Sequence, residues 1–486
     1  MRVCLIKLIG RRWDEEQYFI DIGLGFLGTA LSKAGHEVRI LDCMIERFSW
    51  RIFERFIQEN PFDLYCLKVY SHGIISAIRS IDIIRKHNPQ AIIGVGGPHP
   101  SGAVGETFMH IPGIDFAWQG EAEVGLPKLL EKLDVQSSKS KVQNQPFVSH
   151  FSPPILDDIP GIIYQNGNRI KANSPYFHEP LDDFGYPDCN LMNMGKYIKI
   201  PSVRYIGYHY VPVLTSRGCP MPCTHCEAWR LSGKRVRRHS IDYVIGWIKE
   251  LKYKYGIDFF AFVDDSLTED KQYFITLLEE IIRLDLKIHW DCAQNAIRFD
   301  NLDENILKLM KKSGCFYMSV AIESGSQSTL KAMSRRVNFD LAREKINLIK
   351  KYTNIIILGY FILGYPTEKW EDLKMTTRFS RKLPLDGVDY FLFTPHPGTE
   401  IYQQLQNEGK LAKIEWSNSH YFSASIPLED VSLKKLNLYK RWAKIRFLCR
   451  FKYLTKIPLF NAPIKINWRD EIIRLLRGFV QNYIID

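Results

Sequence analysis

The chain has 486 residues, 45% hydrophobic and 24% charged, an ordinary globular composition with material for about two to four domains. No apolar run reaches the roughly 18 residues a spanning helix needs, so no membrane-spanning helix is expected. The ten Cys fall into no paired spacing, which argues against a disulfide framework and for a reducing, cytoplasmic setting. The net charge of +11 is uneven: residues 428–486 hold 13 Lys/Arg against 5 Asp/Glu.

The first residues are short, apolar and followed by charge, and read as a strand, not a signal peptide. Strands are expected at 3–9, 37–42, 64–70, 91–95 and 115–119, with helices at 24–34 and 74–86. Strand–helix alternation at this spacing predicts a parallel sheet covered on both faces, with a ligand site outside the carboxyl ends of the strands. The residues at those ends are Ser71-His72-Gly73, Gly96-Gly97-Pro98-His99 and Gly120-Glu121-Ala122-Glu123. Glycine there lets backbone approach a bulky ligand.

The set Gly23-Leu24-Gly25, Gly35-His36-Glu37-Val38, Gly96-Gly97-Pro98-His99 and Gly120-Glu121-Ala122-Glu123 resembles the N-terminal cobalamin-binding domain of the cobalamin-dependent radical S-adenosylmethionine (SAM) group. That group includes class B methyltransferases and the anaerobic magnesium-protoporphyrin cyclase. The resemblance implies a Rossmann-like domain over 1–135, with cobalamin contacts from Ser71, His72, Gly96, Gly97, His99, Gly120 and Glu121. Asp-x-His-x-x-Gly, whose His binds cobalt from below in many cobalamin domains, is absent, so the lower face is expected without that ligand.

Residues 136–204 read as a linker region. The stretch 135–145 is polar and aperiodic, a hairpin turning at Asn166-Gly167-Asn168 is expected within 162–171, and 180–187 is Asp-rich and extended.

The segment Thr215-Ser-Arg-Gly-Cys-Pro-Met-Pro-Cys-Thr-His-Cys-Glu-Ala-Trp229 carries Cys219, Cys223 and Cys226 in a Cys-x3-Cys-x2-Cys spacing. A closed structural zinc site uses four ligands, usually in two pairs, and no second pair follows. Three thiolates suit a cubane iron–sulfur cluster with one iron left open. A zinc or redox loop completed by a distant residue is the competing reading. The loop resembles the signature of radical SAM enzymes, in which the open iron chelates the methionine end of SAM and the cluster donates the electron that cleaves it. His225 stands where that signature usually has an aromatic residue.

Alternation resumes after the loop. Helices are expected at 241–255, 273–284, 302–312, 341–351 and 370–382, and strands at 211–214, 259–263, 287–293, 317–322, 355–363 and 388–394. Six β/α units over 205–410 fall short of the eight that close a barrel and predict an open, partial (β/α)6 barrel, which is also the radical SAM fold. The resemblance implies SAM contacts from His225, Asp264, Asp265, Arg298, Glu323, Ser324, Gly364 and Glu368, most of them at strand carboxyl ends. A strand-end acid serves as readily to cap the next helix.

Residues 411–486 read as a basic helical region, with an amphipathic helix at 433–453. Such helices lie on anionic membrane surfaces or pack one face on the domain. Nothing base-reading accompanies the charge, so nucleic acid is not expected.

The resemblance implies an α/β enzyme using a 4Fe-4S cluster, SAM and cobalamin. One SAM methylates cobalamin, and a second is cleaved to a 5′-deoxyadenosyl radical that activates an unactivated carbon for methylation. Oxidative cyclisation or rearrangement uses the same motifs, and a non-catalytic cobalamin or redox sensor is the reading from another class. The expected partners are a small-molecule or lipid-like substrate and an electron donor such as flavodoxin or ferredoxin, with peripheral membrane contact through the tail.

Overall fold

In a computed structural model the described residues are 1–10, 19–139, 156–198, 210–293, 297–411, 414, 416 and 425–450. The first unit is a seven-stranded sheet. Strands β1 (Arg2–Lys7), β2 (Glu37–Asp42), β3 (Leu64–Lys68), β4 (Ile92–Gly96) and β5 (Phe116–Trp118) are parallel in the order β2-β1-β3-β4-β5. β1 shows why its sequence is a continuous apolar run: Val3 and Leu5 enter one core, Cys4 and Ile6 the other. Helices α1 (Ile22–Lys33), α2 (Trp50–Glu59), α3 (Ile74–His87) and α4 (Gly125–Lys139) follow β1, β2, β3 and β5.

The expected hairpin forms as β6 (Ile162–Asn166) and β7 (Arg169–Ala172), and β6 pairs antiparallel with β5. Part of the expected linker region is therefore built into the first sheet. Residues 135–139, expected as loop, are the end of α4, and 140–145 lie outside the described residues. The Asp-rich stretch, expected as extended, contains a 3-10 turn, Leu181–Phe184.

The second unit is an open sheet of six parallel strands: β8 (Tyr210–Val213), then, beyond the two-residue antiparallel pair β9 (Ser216–Arg217) and β10 (Arg237–Arg238), strands β11 (Phe259–Phe262), β12 (His289–Cys292), β13 (Cys315–Glu323), β14 (Ile356–Leu363) and β15 (Gly387–Leu392). The order runs β15-β14-β13-β12-β11-β8, so β8 and β15 are edges and the barrel is partial. Helices α5 (Ile241–Tyr255), α6 (Lys271–Arg283), α7 (Glu304–Lys312), α8 (Phe339–Tyr352) and α9 (Trp370–Lys382) connect them. α5 keeps its expected bounds because both ends are written in sequence: Ser240 accepts from the Tyr243 N–H, and Gly256 closes the helix in the left-handed region. α10 (Glu400–Asn407) and α11 (Leu433–Leu448) complete the described chain. No helix among the described residues is long and apolar enough to cross a membrane.

Candidate active site

The cysteine loop leaves β9 through Gly218, at φ 101°, where an added Cβ would stand 2.2 Å from the Arg235 carbonyl oxygen. Only glycine fits both the torsion and the approach. Thr224 staples the loop to the barrel. Its N–H donates to the Met333 carbonyl (3.2 Å), its Oγ1 bonds the Tyr365 hydroxyl (2.8 Å), and its carbonyl accepts from the Ile401 N–H (3.1 Å). Cys219, Cys223 and Cys226 are partly buried and form no disulfide. Burial raises all three thiols, Cys226 to about 12. Beside them, the Arg335 guanidinium places Nη1 3.7 Å from Cys223 Sγ, while Nη2 donates to the Ala321 carbonyl at 2.9 Å.

The acids divide into two sets. Asp264 is fully buried and braces the entry to the loop. Its Oδ1 accepts from the Thr215 N–H (3.1 Å), Thr215 Oγ1 (2.7 Å) and Ser216 Oγ (2.6 Å), and burial outweighs these bonds to raise the carboxyl to about 6. Glu368 does the same for the turn after β14. It accepts from the Gly364 N–H (2.7 Å) and Tyr365 N–H (3.1 Å) and is raised by burial to about 8. Ser324 is buried against Thr376 and accepts from the Ser326 N–H. Arg298 is held between Glu269 (2.8 Å) and Asp300 (2.9 Å). These four expected SAM contacts thus have internal partners, and Gly364 supplies the left-handed turn that Glu368 holds.

The second set faces the loop. Asp265 accepts from the Gly218 N–H at 3.3 Å. Glu323 sits after a register shift in β13 at φ 71°, a strained torsion for a non-glycine, and its charge acts on Cys223, His225 and Arg335. Glu227, next to Cys226, lies 3.8 Å from His396 and is pushed by burial up to about 7.

At the carboxyl edge of the first sheet, Gly96 and Gly97 present bare backbone. Gly97 has φ 99°, and a Cβ there would meet Lys68 and Val69 at about 3.2 Å. His99 is fully buried, with Ser71 Oγ at 3.0 Å on Nδ1 and His110 at 3.1 Å on Nε2. Both its ring nitrogens are therefore engaged, and Ser71 is drawn inward with it. His72 stacks on Tyr70. Gly120 donates its N–H to Ser101 Oγ.

The carboxyl-end loops of the two sheets meet along two seams. In one, Gly102 lies against Pro397 and Gly398, and Tyr402 donates its hydroxyl to Glu106 at 3.1 Å. In the other, Arg217 pairs with Glu123 (2.8 Å) and Glu121 (3.3 Å), and Arg237 pairs with Glu121 (2.5 Å), all four side chains under a tenth exposed. Glu121, expected at cobalamin, pairs with both arginines across this seam.

Comparison with known families decides what this arrangement is. Residues 213–380 match the radical SAM superfamily, and residues 16–130 match the B12 binding domain. The chain carries a radical SAM domain and a B12-binding domain. An uncharacterized methyltransferase of Pyrococcus horikoshii is 26% identical to it over 463 residues, spanning 95% of this chain and 94% of the relative. The anaerobic magnesium-protoporphyrin IX monomethyl ester cyclase of Rubrivivax gelatinosus is 25% identical over 400 residues (81% and 68%). The hopanoid C-3 methylase of Methylococcus capsulatus is 24% identical over 391 residues (78% and 68%). In fold, it resembles the radical SAM methyltransferase TsrM of Kitasatospora setae, solved with cobalamin and a [4Fe-4S] cluster, at TM-score 0.65 and 18% identity, covering 84% of this chain and 78% of that one.

The residues present fit both an iron–sulfur cluster and cobalamin. Around the loop, the His225 Nδ1 and Arg335 Nε are buried without a hydrogen-bond partner, as expected where a polar group belongs between them. For cobalamin, the fit is the bare Gly96–Gly97 backbone at a sheet edge turned toward the second unit. Sequence reading missed Arg335, Glu227, Thr224 and the two seam arginines. Arg217, Thr224 and Glu227 lie inside the cysteine motif itself, where the thiols draw attention from their neighbours. Arg335 had no signal beyond following a short helix.

Proposed function

We propose that this protein is a cobalamin-dependent radical SAM enzyme that methylates an unactivated carbon. The observation that carries the reading is the joining of two carboxyl edges: the cysteine loop on one and the bare-glycine edge of the B12-binding sheet on the other, fixed by two seams. When bound, the cluster, SAM and cobalamin supply an electron, a radical precursor and a transferable methyl group. Cys219, Cys223 and Cys226 would each hold one iron of the cluster. Arg335 sets a positive charge beside Cys223, offsetting the anionic thiolates. Asp265, Glu323 and Glu227 ring the loop with the acids suited to orient a cationic amino group or ribose hydroxyls. Asp264 and Glu368 hold the flanking turns in place, so the site is preorganised before any ligand arrives.

Oxidative cyclisation or rearrangement uses the same residues, and relatives named as cyclases favour keeping it as the second reading. Electrons from an acidic carrier such as flavodoxin or ferredoxin have an approach beside the loop, where a hollow of about 960 Å3 is lined by Pro222, Lys331, Arg335 and Arg336. The test is anaerobic reconstitution with reductant and SAM. Formation of 5′-deoxyadenosine together with S-adenosylhomocysteine and a methylated product supports methylation, whereas 5′-deoxyadenosine without methyl transfer supports the second reading. The triple substitution of Cys219, Cys223 and Cys226 by Ala is expected to abolish both the brown chromophore and SAM cleavage. A native protein that bound zinc, or never released nucleoside, would end the proposal in favour of a metal-binding or sensor protein.

A further inference from the structure

Helix α11 has two apolar faces. Leu436, Tyr439, Ala443 and Phe447 are buried against the barrel. On the solvent side Leu438, Trp442 and Ile445 are each nearly half exposed and follow one another at helical spacing. A helix that only sheathed a barrel would carry polar residues there.

The charges follow the same division. Lys444 pairs with Asp389 on β15 (2.6 Å), Lys435 lies over the Trp370 ring, and Arg450 donates to the Leu383 and Leu385 carbonyls, all against the barrel. Lys434 and Arg441 flank the exposed stripe, and Arg446 lies over Trp442 at its border. The helix contains no Asp or Glu. The chain from 428 onward adds to the excess, with 13 Lys/Arg against 5 Asp/Glu.

We infer that the outer face of α11 seats on an anionic lipid bilayer, with Leu438, Trp442 and Ile445 entering the headgroup boundary and the flanking cations facing acidic lipid. Interfacial helices combine these two features, and tryptophan favours that depth. Charge complementarity decides against a second copy of the chain as occupant, because a symmetric pairing would set this all-cationic helix against itself. The helix runs antiparallel to β15, from the mouth, where Leu436 meets Gly364, to the opposite end, where Arg450 meets Leu385. The barrel therefore lies along the membrane with its mouth opening parallel to the surface.

The experiment is co-sedimentation of the full-length protein with phosphatidylcholine vesicles, with and without phosphatidylglycerol. Binding is expected only with the anionic lipid and to fall with salt. The triple variant Leu438→Ser/Trp442→Ser/Ile445→Ser and the charge variant Lys434→Glu/Arg441→Glu are each expected to bind at least about tenfold more weakly. Their melting temperatures should match the parent, since all five side chains are at the solvent face. Three outcomes overturn the inference: no binding to phosphatidylglycerol vesicles, undiminished binding by the triple variant, or a lipid-free dimer that the triple variant converts to monomer.

Discussion

Arg335 is the residue with the most direct hold on the chemistry. A half-buried cation 3.7 Å from the Cys223 sulfur would favour the more negative, reduced state of a cluster held there. Arg335→Gln is expected to lower the cluster's reduction midpoint by on the order of 100 mV at an effective dielectric near 20, with Arg335→Lys recovering part of it. Redox titration of the reconstituted protein, followed by electron paramagnetic resonance, measures this directly. An unchanged midpoint in the Gln variant would mean that Arg335 serves only to hold the Ala321 carbonyl.

Among elements, the contact between the Pro98–Gly102 helix and the segment after β15 is the tightest join between the two units. A Cβ on Gly102 would lie 2.0 Å from the Pro397 carbonyl oxygen, and one on Gly398, at φ 81°, would lie 2.7 Å from the Gly102 Cα. Gly102→Ala is expected to cost about 1–3 kcal/mol of stability and to weaken cobalamin retention. Gly105→Ala, where the added Cβ meets nothing within 4 Å, should change neither. Denaturant melts and the corrinoid absorbance remaining after gel filtration read the two effects. Elements were legible where the sequence carries periodicity and caps together. α5 has Ser240 and Gly256 at its ends, and β1 has its unbroken apolar run. α2 was not anticipated, although Phe53 and Ile57 are buried and Trp50 and Phe56 pack partly against the same core. The cysteine loop was legible because thiol spacing is local. The partners of Asp264, Glu368, Glu121 and His99 were not, because each acid or ring is answered by residues that only the folded chain brings near. Strand-end position could mark these side chains as important without separating a ligand contact from a brace.

At the scale of the molecule, the charged seam sets how the two units hold together. Among the described residues Glu121 is the only carboxylate paired with Arg237, while Arg217 keeps Glu123. Glu121→Ala would leave a buried guanidinium uncompensated, expected to cost about 3–5 kcal/mol. Because the loss falls between the units, urea unfolding is expected to split into two transitions where the parent is expected to give one. A single transition at the parent midpoint would mean that the Gly102 side of the junction alone couples them.

Gly364 has no side chain, and one methyl of Leu436 from α11 occupies that place, 2.5 Å from where a Cβ would be. The outermost helix is thus keyed into the rim of the barrel's opening through a peptide that Glu368 clamps from beneath. A displacement of that helix, by whatever surface it rests on, transmits to the rim as a push on one turn. Sheath and opening move as one piece.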